Sequence, residues 1–243
     1  MGDAVFLRNI RLNAKVGLDC WHRDKAQPAL VSLSLPTDIQ LASETDDVIN
    51  TINYGTVYKA IDSGLAGTSY DTLDAFTEAA ARIGLEAGGG KTVKATVKLP
   101  KVILQAEGEE GGVAMDVEMA AGENGAMAVQ SKVLHVHNLR VACVLGVNDH
   151  ERRGKQLVAL NLDLYGGKLP AKTDYQKDFA PVIKLVEDSS YLTLEALCWA
   201  VAKLLILGLA FSTVRVSIEK PNAYGVVDCP GVVMTRSVMD IRP

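Results

Sequence analysis

Hydrophobic and polar positions along the chain change period several times, and they do so in the same order twice. A strand-like pattern runs through "VFLRNIRLNAKVG" to Gly17, and again through "LHVHNLRVACVLG" to Gly146. A run alternating with period two follows each, "LVSLSLPTDIQL" and then "LVALNLDLYG", as expected of strands with one buried face. The period then becomes helical. "YGTVYKAIDSGLA" and "TLDAFTEAAARIGLEA" predict two helices in the first half, with Leu73, Phe76, Ala80 and Ile83 on one face. "FAPVIKLVEDS" and "TLEALCWAVAKLLILG" predict two in the second. Two strands close each half: "KTVKATVKLP" with "GGVAMDVEM", and "STVRVSIEKP" with "GVVMTRSV". The predicted order is ββααββ, twice. It is an α+β plan, an antiparallel sheet with helices packed on one face.

Individual residues repeat as well. Asn9, Arg11, Gly17, Gln27, Leu33 and Leu35 fall on Asn138, Arg140, Gly146, Gln156, Leu162 and Leu164 at a constant offset of 129. Further on the offset is 121, with Asp74 on Glu195 and Pro100 on Pro221. The second half is therefore shorter by about eight residues in its middle, where loops tolerate shortening. Between the halves, "AAGENGAMAVQSK" is rich in Gly and Ala and reads as a linker. The expected division is a first domain over 1–120, a linker over 121–131 and a second domain over 132–243. Each unit leaves sheet edges unpaired, and unpaired edges favour assembly into a ring or barrel of several units.

Composition narrows the classes. Of the 243 residues 48% are hydrophobic and 22% charged, which suits a folded protein with a real core. A net charge of −4 argues against a nucleic-acid backbone or an anionic membrane as partner. Cys20, Cys143, Cys198 and Cys229 have no C-x-x-C spacing and read as reduced thiols of an intracellular protein. The N-terminal stretch carries Asp3 early and enters a strand pattern at once, unlike a signal or transit peptide. Phe6 stands where a myristoylation motif needs Ser or Thr. The apolar run Leu197–Phe211 contains Lys203 and is too short to span a bilayer, so it reads as a buried helix. The expected location is cytoplasmic.

The ordered set of strand, Gly turn and Gln, then Asn-Tyr-Gly, then Thr-Leu-acid-Ala, then a Val-rich strand ending in Lys-Pro resembles dihydroneopterin aldolase, twice over nearly the whole chain. Two such units in tandem are similar to the leading part of fungal folate-synthesis proteins. The resemblance implies tunnelling-fold (T-fold) domains and a homo-oligomer with sites at domain interfaces. It also leaves a mitochondrial location open. The implied reaction is retro-aldol cleavage of dihydroneopterin to 6-hydroxymethyl-dihydropterin and glycolaldehyde. It implies no cofactor and no metal, because the pterin ring takes up the developing charge. One carboxylate at a helix start grips two adjacent N–H donors of the pterin, each charge-assisted bond being worth roughly 1.5–3 kcal/mol. A lysine after the third strand organises proton transfer, a turn carboxylate holds the side chain or its water, and a tyrosine from a neighbouring subunit relays a proton.

Carried over residue by residue, the gripping acid is Glu195, with Leu194 beside it in the substrate-binding set, and the lysine is Lys220. The turn acid is Glu151. The tyrosine is expected in the first half as Tyr54, with Phe179 at the matching position of the second. The first half has His22 for the turn acid, Asp74 for the gripping acid and Leu99 for the lysine, with Lys98 and Lys101 flanking it. The resemblance thus implies one working site per chain, combining Tyr54 with Glu151, Glu195 and Lys220 across an interface. Three rival readings stand beside it. His135 and His137 share a strand face, and with His150 they suggest a zinc site. The degenerate first half suggests a non-catalytic scaffold for folate enzymes. Epimerisation of the same side chain shares the retro-aldol step.

Overall fold

The computed structural model describes residues 2–122, 124–167 and 171–241. The first repeat runs β1 (Ala4–Val16), β2 (Gln27–Pro36), α1 (Gln40–Thr45), α2 (Tyr54–Leu65), β3 (Ser69–Tyr70), α3 (Leu73–Gly88), β4 (Thr92–Leu99) and β5 (Gly112–Ala121). The second runs β6 (Met127–Cys143), β7 (Gln156–Tyr165), α4 (Tyr175–Asp178), α5 (Ala180–Glu187), α6 (Leu194–Leu207), β8 (Thr213–Glu219), β9 (Gly231–Ser237) and α7 (Val238–Ile241). Beneath the short additions lies the expected ββααββ order, twice.

All strands join one sheet in the order β3-β1-β2-β4-β5-β6-β7-β8-β9. Neighbours are antiparallel except the two-residue β3, which lies parallel to β1. One expectation is corrected here. Residues 121–131 do not form a separate linker: β5 continues to Ala121, β6 begins at Met127, and Ala121 pairs with Met127. Gly and Ala there serve a hairpin turn, and the backbone groups of its arms are satisfied within the sheet.

Alternation decides which face is buried. Val31, Leu33, Val97, Val117, Val136, Leu160 and Val216 point to the helices and are buried. Phe76, Leu85, Val201 and Leu205 meet them from α3 and α6. Burying each such large side chain stabilises the fold by roughly 1.5–3 kcal/mol. The repeated asparagines have a backbone cause. Asn9 (φ 54°) and Asn138 (φ 50°) sit at bulges in β1 and β6, a left-handed conformation that asparagine tolerates. Their N–H groups donate to Ser32 Oγ and Asn161 Oδ1, both at 2.9 Å. The run Leu197–Phe211 lies largely in α6, which buries Leu197, Val201, Leu205 and Ile206. Among the described residues, no helix is long and apolar enough to cross a membrane.

The other sheet face is polar. Lys94, Asp116, His135, Asp163 and Arg215 form a ladder across β4 to β8. The ion pairs are Lys94–Asp116 at 2.7 Å, His135–Asp116 at 3.5 Å, His135–Asp163 at 2.8 Å and Arg215–Asp163 at 3.1 Å.

Candidate active site in the second repeat

Four sequence features converge at the end of the second repeat. Thr193 caps α6 by accepting from Ala196 N–H at 3.2 Å, which places Glu195 in the first helical turn. The helix N-terminus favours a negative charge there, and its first N–H groups have no intrahelical acceptor. Lys220 follows β8, tied by its N–H to Pro230 O at 2.9 Å. Glu151 opens a 3₁₀ turn after Gly146. Gly146 has φ 135°, and a Cβ at that position would overlap the Glu151 carboxylate, so only glycine fits. Gln156 fastens the turn by donating to Leu145 O at 2.8 Å and Glu151 O at 2.9 Å.

These groups line an open cavity of about 450 Å³ that includes Gly146, Asn148, His150, Glu151, Leu194, Glu195, Lys220 and Tyr224. Within it Lys220 Nζ is ion-paired with Glu151 Oε1 and donates to Leu145 O at 3.3 Å. Glu151 Oε2 accepts from Asn148 N–H at 3.0 Å and Nδ2 at 2.9 Å. The Lys220 hydrogen bond, then those from Asn148, hold the Glu151 pKa down at about 2. Arg152 braces the rim, donating to Tyr191 O at 2.9 Å and Ser190 O at 2.9 Å. Among the described residues no side chain pairs with the Glu195 carboxylate, which remains available to a ligand's N–H groups.

Lys220, Glu151, Glu195 and Leu194 therefore line one cavity. Tyr54 does not join them within the chain. It begins α2 in the other repeat and is 66% exposed. The matching position in the second repeat is also corrected. The offset of 121 runs unbroken from Tyr54 on Tyr175 to Pro100 on Pro221, and both tyrosines open a helix after an N-cap, Asn53 or Asp174. Tyr175, not Phe179, is the counterpart, so the second repeat keeps the hydroxyl. The constant offset was the signal that identifies it.

The first-repeat site is built differently. Leu99, at the lysine position, is fully buried. Lys98 points to the other sheet face and donates to Glu109 O at 2.6 Å. Asp74 is ion-paired with Lys132 of β6 at 2.9 Å, and Glu78 holds the same ammonium. His22 Nδ1 meets Asp174 Oδ2 at 2.7 Å. The second repeat's own segment, residues 172–176, seats on this site. Leu18 N–H donates to Thr173 O at 2.9 Å, Thr173 N–H to Asp71 O at 3.0 Å, and Leu104 N–H to Gln176 Oε1 at 2.7 Å. Tyr175 is buried there.

The three histidines of the zinc reading do not converge. His150 lines the cavity, whereas His135 sits on the polar sheet face between Asp116 and Asp163. Among the described residues no group of three or more His, Cys, Asp or Glu is arranged to hold a metal ion.

A family model described as dihydroneopterin aldolase matches residues 5–116 and again 134–235. The chain is 24% identical to the Pneumocystis carinii "Folic acid synthesis protein fol1" over 97% of its own length, but it spans only 32% of that protein. It is 26% identical to a Staphylococcus epidermidis dihydroneopterin aldolase, covering 48% of this chain and 96% of that one. Among solved structures, a uricase from Bacillus fastidious superposes with a TM-score of 0.73 at 10% identity, over 99% of this chain and 95% of that chain, a likeness of fold alone.

Proposed function

The chain belongs to the dihydroneopterin aldolase family, and from that premise we propose that it cleaves dihydroneopterin at the second-repeat cavity, with Tyr54 supplied by a neighbouring copy. The observation that carries the reading is the meeting of Glu195, unpaired among the described residues, with the Glu151–Lys220 ion pair in one cavity. Glu195 grips the two adjacent N–H donors of the pterin as a fork, and Leu194 lies at the same helix start. Lys220 and Glu151 then face the three-carbon side chain. The 2′-hydroxyl gives up its proton, the C1′–C2′ bond breaks, and C2′ with C3′ leaves as glycolaldehyde. The electron pair of that bond passes into the pterin ring and returns to C1′ with a proton, giving 6-hydroxymethyl-dihydropterin. Lys220 organises both proton transfers, Glu151 orients its ammonium, and Tyr54 relays the proton. The step needs no electron sink beyond the ring.

The test is incubation of the purified chain with dihydroneopterin, with separation of products. Stoichiometric glycolaldehyde and 6-hydroxymethyl-dihydropterin are expected. Recovery of only the C2′ epimer would replace cleavage by epimerisation, and an unchanged substrate would refute the reading.

A further inference from the structure

One exchange between the repeats falls beside the cavity. Asp19 and Asn148 are equivalent at the offset of 129, as are Arg23 and Arg152. In the first repeat these two residues serve each other. Asp19 is 5% exposed, and its Oδ2 accepts from Arg23 Nε at 2.9 Å and Nη2 at 2.8 Å. Its Oδ1 accepts from the N–H groups of Trp21 at 2.9 Å and Arg23 at 3.0 Å. In the second repeat an amide replaces the carboxylate, and each residue takes new partners. We propose that Asn148 and Arg152 are a positioning pair, which locks the Glu151 turn to the start of α6 and so sets where the Glu151–Lys220 pair stands relative to Glu195. The inference deepens the functional reading above and rests on it for what that spacing serves.

Asn148 acts on the turn. An ionised carboxylate only accepts hydrogen bonds, whereas an amide also donates, so an acid at this position would repel Glu151 and the amide holds it. Asn148 gives Glu151 Oε2 two donors, its N–H at 3.0 Å and its Nδ2 at 2.9 Å, which leaves Oε1 for Lys220. His22, at the place of Glu151 in the first repeat, is held instead by Asp174. There the acid at position 19 has no carboxylate to repel.

Arg152 acts on the approach to α6. In the first repeat that approach is β3, tied to β1 by Lys15 N–H to Thr68 O and Gly17 N–H to Tyr70 O, both at 2.9 Å. The equivalent bonds of the second repeat are longer, Val144 N–H to Ser189 O at 3.4 Å and Gly146 N–H to Tyr191 O at 3.3 Å. Arg152, with no acid at position 148 to hold it, makes up the difference. It donates to Ser190 O at 2.9 Å, Ser190 Oγ at 2.8 Å and Tyr191 O at 2.9 Å. The planar fork of a guanidinium suits such a set of acceptors. Two residues further on Thr193 caps α6, and Glu195 stands in its first turn. The loosely paired backbone that leads to Glu195 is thereby fastened to the turn that bears Glu151.

Two substitutions separate the arms, read by turnover of dihydroneopterin. Arg152→Gln loosens Glu195 and should raise KM about tenfold with little change in kcat. Asn148→Ala loosens Glu151 against Lys220 and should lower kcat about tenfold with little change in KM. Asn148→Asp should do both, because the new acid draws Arg152 back as Asp19 holds Arg23. Adding Arg152→Gln to Asn148→Asp should then raise KM no further. Hydrogen–deuterium exchange of the backbone at 189–197, measured without substrate, should quicken alike in Arg152→Gln and Asn148→Asp. Exchange there that ignores both substitutions, or KM losses that multiply in the double variant, overturns the pair. An unsubstituted chain that leaves dihydroneopterin unchanged, with exchange at 189–197 responding as stated, keeps the positioning pair and removes the functional reading.

Discussion

Consider removing each end of the Lys220–Glu151 pair alone and then both together. Lys220 is 8% exposed, and among the described residues its ammonium has, beyond Glu151, only Leu145 O at 3.3 Å. Glu151→Gln leaves that charge in a site built for a carboxylate, and Lys220→Met leaves Glu151 with Asn148 alone. Breaking a fully buried pair costs about 3–5 kcal/mol. This cavity is open and admits water, so a loss of about 1.5–3 kcal/mol is expected for each single variant, the worth of a charge-assisted bond. The double variant removes both charges and should cost little more than one single, giving a coupling of at least about 1 kcal/mol. Urea denaturation at pH 7 reads all four corners of the cycle. The pH dependence is fixed by the lowered Glu151 pKa, from 4.5 to about 2. A depressed carboxylate contributes stability that is complete above its unfolded value and lost as pH falls through its folded one. The coupling should therefore be intact above about pH 4.5 and fade towards pH 2, and in Lys220→Met the Glu151 carboxyl should titrate nearer 4.5. Additive single losses at pH 7, within about 0.3–0.5 kcal/mol, would refute the pair as an energetic unit.

Glu195→Gln should raise KM more than it lowers kcat, while Asp74→Ala should leave steady-state turnover unchanged and lower the urea midpoint, because Asp74 serves Lys132. Lys220→Ala should cut kcat on the order of 10²–10⁴, and mixing it with Tyr54→Phe under conditions of chain exchange should restore part of the activity; no recovery despite proven exchange counts against a site shared between copies. Burial opposes the charge on His135, but hydrogen bonds to Asp116 and Asp163 outweigh it and raise its pKa above 6.5. Its contribution is then full below about pH 6.5 and lost as pH rises through the raised value, so urea midpoints should fall across that window in the native chain and stay flat in His135→Gln.

Much of this was legible in single residues. Asn9 and Asn138 repeat because both bulges demand a left-handed residue. Gln27 and Gln156 repeat because each donates to the carbonyl of the residue immediately before the turn glycine, Val16 O at 2.9 Å before Gly17 and Leu145 O at 2.8 Å before Gly146. Thr72 and Thr193 repeat because each caps the helix that bears the gripping acid. The hairpin at 121–131 was not legible, since Gly and Ala suit a linker and a turn alike, and only the pairing of Ala121 with Met127 separates them. Nor was the Asp74–Lys132 pair, whose members lie 58 positions apart and meet only when β6 joins the sheet beside β5.

The way the two repeats differ carries its own logic. A site that had merely decayed would show scattered losses with no new partners. At the first repeat two replacements instead engage the second repeat, while Tyr175 Oη is buried there without a hydrogen-bond partner among the described residues. Asp74 is answered by Lys132, His22 by Asp174, and the lysine position by a leucine that packs fully into the core. Two of the changes convert groups that would face a ligand into ones that bind the second repeat, and the third removes a charge, so the junction within the chain favours cohesion. The equivalent positions at the open edges run the other way: Asp3 for Lys132, Glu151 for His22, Lys220 for Leu99. Phe6 and Val233 at those edges are exposed, and the Glu195 carboxylate of the cavity stays open to a ligand. Duplication thus lets one repeat's site specialise in holding the chain together while the other keeps the groups that the proposed reaction needs, a division that a single repeat has no means to achieve.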